Sequence, residues 1–328
     1  MLKNNIEILS PYPDGVVHRV KFNPLIAQKP AGFNFCRLQE SNEKVSGILI
    51  NGLKIDLDTN PRLVSLLQKR AQHAVIMLFI PDISNKLIPS LKRWSELVDV
   101  LLLPTPEMKD VVQLFTNRSV EVLLDPIDFG FTNSFKKPTD NKKPLKIVWF
   151  GYPDSYQKSM IAHEHTLTTL HLEKEIEYHI VTKNKHYGKV QNCIIHQYTP
   201  ETFPALLQTF DACVLSHVPT DFDVNTYCKS ENKAVLAINR GVPVIASKTP
   251  AYQRLLTNCG LENYLFTSNS GIVELINKLR SFEERSHYLQ LSQEYVLKNY
   301  SSQKMVKDWV KIYERTQYMK FKDSIKVI

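Results

Sequence analysis

Residues 228–252 read CKSENKAVLAINRGVPVIASKTPAY, and the fold turns on this stretch. Lys229, Ser230, Asn232 and Lys233 gather cationic and polar groups ahead of the helix-like run AVLAIN. A helix start carries unpaired N–H groups and the positive end of the dipole, so lysines and small donors there suit a phosphate. The run stops at Arg240-Gly241, and glycine suits the left-handed residue that closes a helix. Val242-Pro243-Val244-Ile245-Ala246 then reads as a short buried strand. Anion site, helix, glycine stop and buried strand make the unit from which a nucleotide-binding α/β domain is built. The plain alternative is an amphipathic helix and strand with solvated lysines.

Outward from that stretch, strands and helices alternate. In the first half the strand candidates are 16–22, 45–50, 74–79, 98–103 and 120–124, with helices at 61–72, 85–96 and 106–115. In the second half the strands are 146–150, 177–181, 193–196, 212–216, 242–246 and 264–267. Helices there cover 157–172, 200–208, 231–239, 251–257, 270–279 and 283–297, and a last amphipathic helix starts at Gln303. Short apolar strands separated by helices of this length predict βαβ units and parallel sheets. Residues 132–146, TNSFKKPTDNKKPLK, are polar, basic and carry two prolines, which predicts a linker. The expected class is α/β, with two doubly wound Rossmann-like domains and a cleft between them. The expected boundaries are 1–135, 136–302 and a C-terminal helix, 303–328, packing back on the first domain.

At 328 residues the chain is long for one domain and suits two. No apolar run approaches a membrane span, no signal peptide is visible, and the five cysteines form no C-x-x-C pair. These features predict a cytoplasmic protein without a disulfide framework or zinc site. The net charge of +8 favours an anionic partner without choosing among a nucleotide diphosphate, an anionic membrane, a polyanionic glycan and nucleic acid.

The segment Lys229, Ser230, Asn232, Lys233 followed by Gly241-Val242-Pro243-Val244-Ile245-Ala246 resembles the nucleotide-sugar-binding region of glycosyltransferases with the GT-B architecture. The resemblance implies a transferase that moves a sugar from a nucleotide-activated donor to an acceptor hydroxyl, most commonly in bacterial surface-glycan assembly such as capsule or lipopolysaccharide. It implies that Lys229 and Lys233 neutralise the donor diphosphate with help from Ser230 and Asn232. No catalytic metal is expected, because cationic side chains and a helix start stabilise the leaving group. Many members carry an acidic pair around this helix; here Glu231 precedes it and Asn239 stands near its end, so the pair is not intact. The expected partners are the donor, a glycan or lipid-linked acceptor, and peripherally the inner membrane face. A phage-type DNA base glycosyltransferase and a non-catalytic sugar-nucleotide or glycan module are the rival readings.

Loops after strands are where chemistry is expected. Gly151 follows Val148-Trp149-Phe150, where a glycine lets backbone approach a phosphate or sugar; no G-x-G-x-x-G follows, which argues against an NAD enzyme. Tyr198 and Thr199 follow the strand 193–196, and Tyr198 is placed to stack on a base or to pack as a structural ring. Asp82 follows 74–79 and either takes the proton of an acceptor hydroxyl or caps the helix near Asn85. Asp221 and Asp223 are two carboxylates without a third metal ligand. His163-Glu164-His165 cannot share one helix face and reads as a surface run.

Overall fold

The computed structural model describes residues 4–11, 15–38, 45–130, 144–183, 193–217 and 224–325. The predicted linker lies largely outside them, as do Asp221 and Asp223. The chain forms two compact units. Unit 1 contains Met1–Asp128, Phe222–Lys229 and Tyr300–Ile328; unit 2 contains Phe129–Asp221 and Ser230–Asn299.

Unit 1 is built on six parallel strands: β1 (Asn4–Leu9), β2 (Phe33–Arg37), β3 (Gly47–Ile50), β4 (Val75–Phe79), β5 (Val100–Leu103) and β6 (Ser119–Val122). Their spatial order is β2-β1-β3-β4-β5-β6. Every residue of β3, β4 and β5 is buried, which explains their unbroken apolar sequence. Alternate side chains feed two cores. Ile48, Ile50, Ile76, Leu78, Leu101 and Leu103 pack with Leu67, Leu91, Trp94 and Met108 of the crossover helices. Leu49, Val75, Met77, Val100 and Leu102 pack with Phe22, Leu25, Trp309 and Tyr313.

The C-terminal helix Ser302–Ile325 supplies the last two and is latched by polar contacts. Lys320 donates to Asp99 Oδ2 at 2.7 Å and to the Ala74 carbonyl at 2.8 Å, and Tyr313 donates to the Ser46 carbonyl at 2.9 Å. The strand expected at 16–22 is absent. That run coils as a π-helical turn, His18–Phe22, continuing into a helix over Asn23–Gln28. Helical spacing lets Val20, Lys21 and Phe22 all turn inward. The inward Lys21 is held by Asp125 at 2.8 Å and by the Leu123 and Leu124 carbonyls. The sheet instead gains β1 and β2 from sequence with no strong strand signal.

Unit 2 has the strands β7 (Leu145–Phe150), β8 (Ile176–Thr182), β9 (Ile194–Gln197), β10 (Ala212–Leu215), β11 (Val244–Ser247) and β12 (Leu265–Phe266). All pair in parallel, in the order β12-β11-β10-β7-β8-β9. The helix Asn232–Asn239 closes as its sequence predicts. Gly241 has φ 75°, its N–H donates to the Ile238 carbonyl, and the Val242 N–H donates to the Ala237 carbonyl. That pair of bonds is a Schellman stop. The single helix expected over 157–172 is two, Pro153–Ser159 and Ile161–Leu172, broken at Met160.

A histidine pair joins β8 to β9. His179 Nδ1 and His196 Nε2 are 2.9 Å apart, the rings are stacked, and Phe210 lies 5.0 Å from His179. Only one proton fits between two facing ring nitrogens. Burial, and then the neighbouring His196, pull His179 down to about 4, while burial also lowers His196. The unfolded chain therefore binds more protons than the native one at mildly acid pH. Stability is complete above the ordinary histidine range near pH 6.5 and falls as pH drops toward 4, by about 1.4 kcal/mol per pH unit for each proton withheld. Urea midpoints followed from pH 7.5 to 4.5 should show this slope, and His179→Gln should flatten it.

Candidate functional site

In unit 2 the strand order reverses between β7 and β10, so the polypeptide leaves these neighbours in opposite directions. Such a switch point opens a crevice at the carboxyl ends of the strands. Here those ends carry Gly151 after β7 and Ser216-His217 after β10. Lys233, in the first turn of the helix Asn232–Asn239, sends its ammonium to the same place. Nζ lies 4.8 Å from the centre of the Trp149 ring, a cation–π contact. A Cβ on Gly151 would lie 2.6 Å from Nζ and 2.9 Å from the indole, so only glycine leaves this space open. Gly151 and Lys233, named separately from the sequence, are thus neighbours.

The other charged groups of the stretch are turned into the scaffold. Glu231 is buried and takes both its oxygens to Arg254, at 2.9 and 3.0 Å. Its side chain does not cap the helix. Asn239 is fully buried and donates to the Gly130 carbonyl at 3.1 Å. Arg240 donates to the Phe129 carbonyl at 2.8 Å. Ser230 and Asn232 are half-buried beside Glu231.

Lys229 belongs to unit 1, with the short helix Val224–Tyr227 and the buried Cys228. Its ammonium pairs with Asp82 Oδ1 at 2.7 Å. Asp82 is therefore not the helix cap: the turn Asn85–Leu87 begins at Ser84, which makes no side-chain cap. The structure brings the expected base and one expected phosphate ligand together, and the unit boundary divides Lys229 from Lys233. Thr199 stands at the head of the turn that leads into the helix Phe203–Leu207, its carbonyl accepting from Phe203 N and its hydroxyl lying 2.6 Å from that of Thr202. Tyr198 is half-buried, with its ring 5.0 Å from Phe203.

One arrangement at the strand ends was not read from the sequence. His163, expected at the surface, is half-buried against Phe266, with Nδ1 2.6 Å from Asn269 Oδ1 and Nε2 3.0 Å from Ser216 Oγ. Asn269 donates through Nδ2 to the Ala162 carbonyl, which fixes its amide and makes His163 Nδ1 the donor. In neutral His163 the Nε2 lone pair then accepts from Ser216. The adjacent His217 stacks on Tyr252, and its N–H donates to Ser247 Oγ at 2.9 Å. The partners of His163 lie 53 and 106 residues away, beyond the reach of any local pattern. His165 is exposed, as expected.

Solved structures share this architecture. TarM superposes with a TM-score of 0.59 at 11% identity over 83% of this chain. An O-GlcNAc transferase mutant from Thermobaculum terrenum gives 0.62 at 12% identity over 98% of this chain and 69% of its own. The lipopolysaccharide outer core galactosyltransferase WaaB gives 0.61 at 14% identity, over 94% of this chain and 98% of its own. The chain has the GT-B fold. It spans 55% of the TarM chain and 57% of the GtfA/B chain it also matches. No protein-family model matches it, and no curated protein does. The turn that holds Gly151 and Lys233 lies at the switch point of one of its two Rossmann-like units.

Gly151→Ala tests that turn. The lysine can swing aside but the buried indole cannot, so thermal or urea unfolding should show a loss of about 1–3 kcal/mol from overpacking. Tryptophan emission should shift as Trp149 is displaced.

Proposed function

We propose that this chain is a glycosyltransferase that takes a sugar from a nucleotide-activated donor and passes it to an acceptor hydroxyl. The donor diphosphate binds at the switch point of unit 2, with Lys233 facing it. The carrying observation is the Lys233 ammonium held over Trp149 at the open Gly151 turn. A fixed cation at the place where charge develops on a leaving diphosphate lowers the barrier more than a solvated one. Ser230 and Asn232 add hydrogen bonds beside the helix start, and side chains rather than a metal offset the charge. Tyr198 and Thr199, in the loop after β9, are assigned to the nucleoside.

Asp82 is assigned the acceptor proton, and among the described residues Lys229 engages only its Oδ1. With half its side chain exposed, Asp82 is open to a hydroxyl at its other oxygen. Lys229 then acts through Asp82, holding its carboxylate in place, rather than on the diphosphate.

A uridine nucleotide is the first donor to try, because a TarM mutant is solved with UDP and alpha-GlcNAc-glycerol. A surface glycan or lipid-linked sugar is the acceptor class that the likeness to WaaB supports. Thermal-shift screening against UDP-, GDP-, CMP-, ADP- and dTDP-sugars should give one stabilising class. Lys233→Ala should abolish that shift with little change in the unliganded melting temperature. Retention of the full shift in Lys233→Ala would place the diphosphate elsewhere, and binding without turnover would leave a non-catalytic module. Asp82→Asn should lower kcat by about a hundredfold or more while donor binding stays intact, as loss of a general base does.

A further inference from the structure

The helix Ser302–Ile325 has two faces of opposite character. Met305, Val306, Trp309, Ile312 and Tyr313 are buried and form one. At about 100° per residue, Lys304, Lys307, Lys311, Arg315, Tyr318 and Lys322 fall within an arc of about 80° centred nearly opposite. The stripe runs about 27 Å along the axis at about 1.5 Å per residue. All but the half-buried Lys322 are exposed. Acidic residues sit at its margins. Asp308 pairs with Lys304 at 2.5 Å, Glu121 pairs with Arg315 at 2.6 Å, and Glu314 flanks the arc.

Two large apolar groups lie near the C-terminal end of the stripe, Tyr318 within the arc and Met319 about 40° beyond its edge. Tyr318 is 63% exposed and Met319 57%, on a helix whose opposite side is fully packed. A surface helix kept soluble by charge alone has no need of an exposed tyrosine and methionine at the end of a cationic row. That combination matches the boundary of an anionic bilayer, where cations meet headgroups and amphipathic side chains settle at the acyl edge. Among the described residues no helix is long and apolar enough to cross a membrane, so this face would lie on one.

We infer that the outer face of the C-terminal helix is a docking surface for an anionic lipid bilayer. Lys307 and Lys311 make the central electrostatic contact, and Tyr318 and Met319 enter the interface. The inference uses no residue of the donor site and stands or falls apart from the transferase reading. A nucleic acid would meet the same cations but would not need Met319.

Co-sedimentation of the full chain with phosphatidylcholine vesicles, with and without phosphatidylglycerol, tests it. The chain should pellet with the mixed vesicles, stay in solution with the neutral ones, and be released by salt. Lys307→Glu with Lys311→Glu should cut partitioning about tenfold or more, in line with the electrostatic share of two lysines. Tyr318→Ala with Met319→Ala should weaken it at unchanged charge. Melting temperatures confirm that each variant folds, and Lys307→Gln with Lys311→Gln substitutes if the reversal does not. Equal partitioning of wild type and charge variant, no binding to mixed vesicles, or displacement from them by a DNA duplex that needs the same lysines but not Tyr318 and Met319 would each overturn the inference.

Discussion

A parallel sheet covered on both faces has one good place for polar chemistry, the edge where its strands end. Everything else in unit 2 follows from that constraint. The interiors of β7, β10 and β11 are almost wholly apolar, and their side chains leave no room for solvent. Polar groups are driven to the carboxyl ends, where Gly151, Ser216, His217 and Ser247 stand. The reversal of strand order beside β7 then opens a gap that no crossover helix fills. Lys233 occupies that gap because Gly151 leaves room and because an indole face accepts a cation that the apolar strands would reject.

Placing an ammonium there also decides what happens to its neighbours. Charges close to a buried helix must be paired or turned to solvent. Glu231 is paired by Arg254, and Arg240 donates through one terminal nitrogen to the carbonyls of Phe129 and Gly130, where the backbone takes positive φ at both residues. Polar letters that look like ligands in the sequence therefore serve two ends. Lys233 faces the strand ends, whereas Glu231, Asn239 and Arg240 secure the helix to the rest of its unit. A carboxylate locked bidentately to an arginine is a structural post, whatever its distance along the chain from a phosphate ligand.

The fold was legible where burial writes a strong local pattern. VIMLF, VLLL, IVWF and VIAS are strands because both faces are covered, and Gly241 is a helix stop because a left-handed residue is needed there. It was illegible where a distant partner sets the conformation. VVHRVKF alternates like a strand, yet coils, and its inward Lys21 is satisfied by Asp125 and two carbonyls about a hundred residues away. The edge strand FNFCR is half polar and has one neighbour, so it carries little of the buried-strand signature. The site divides in the same way. Lys233 and Gly151 each carry a local signal, but their meeting depends on the strand order, and the bonds of His163 depend on Ser216 and Asn269, neither of which is distinctive alone.

The division of residues 228–252 between the units has a physical basis in two separate sets of contacts. Cys228 is buried in the unit 1 core with Val224 beside it, and Lys229 ends in an ion pair with Asp82 of that unit. From Glu231 onward every contact described belongs to unit 2. Three residues of chain thus separate a lysine paired with a carboxylate from a lysine set over an indole. Of the two, Lys233 is the one set at the switch point of unit 2, beside Gly151 and over the Trp149 ring.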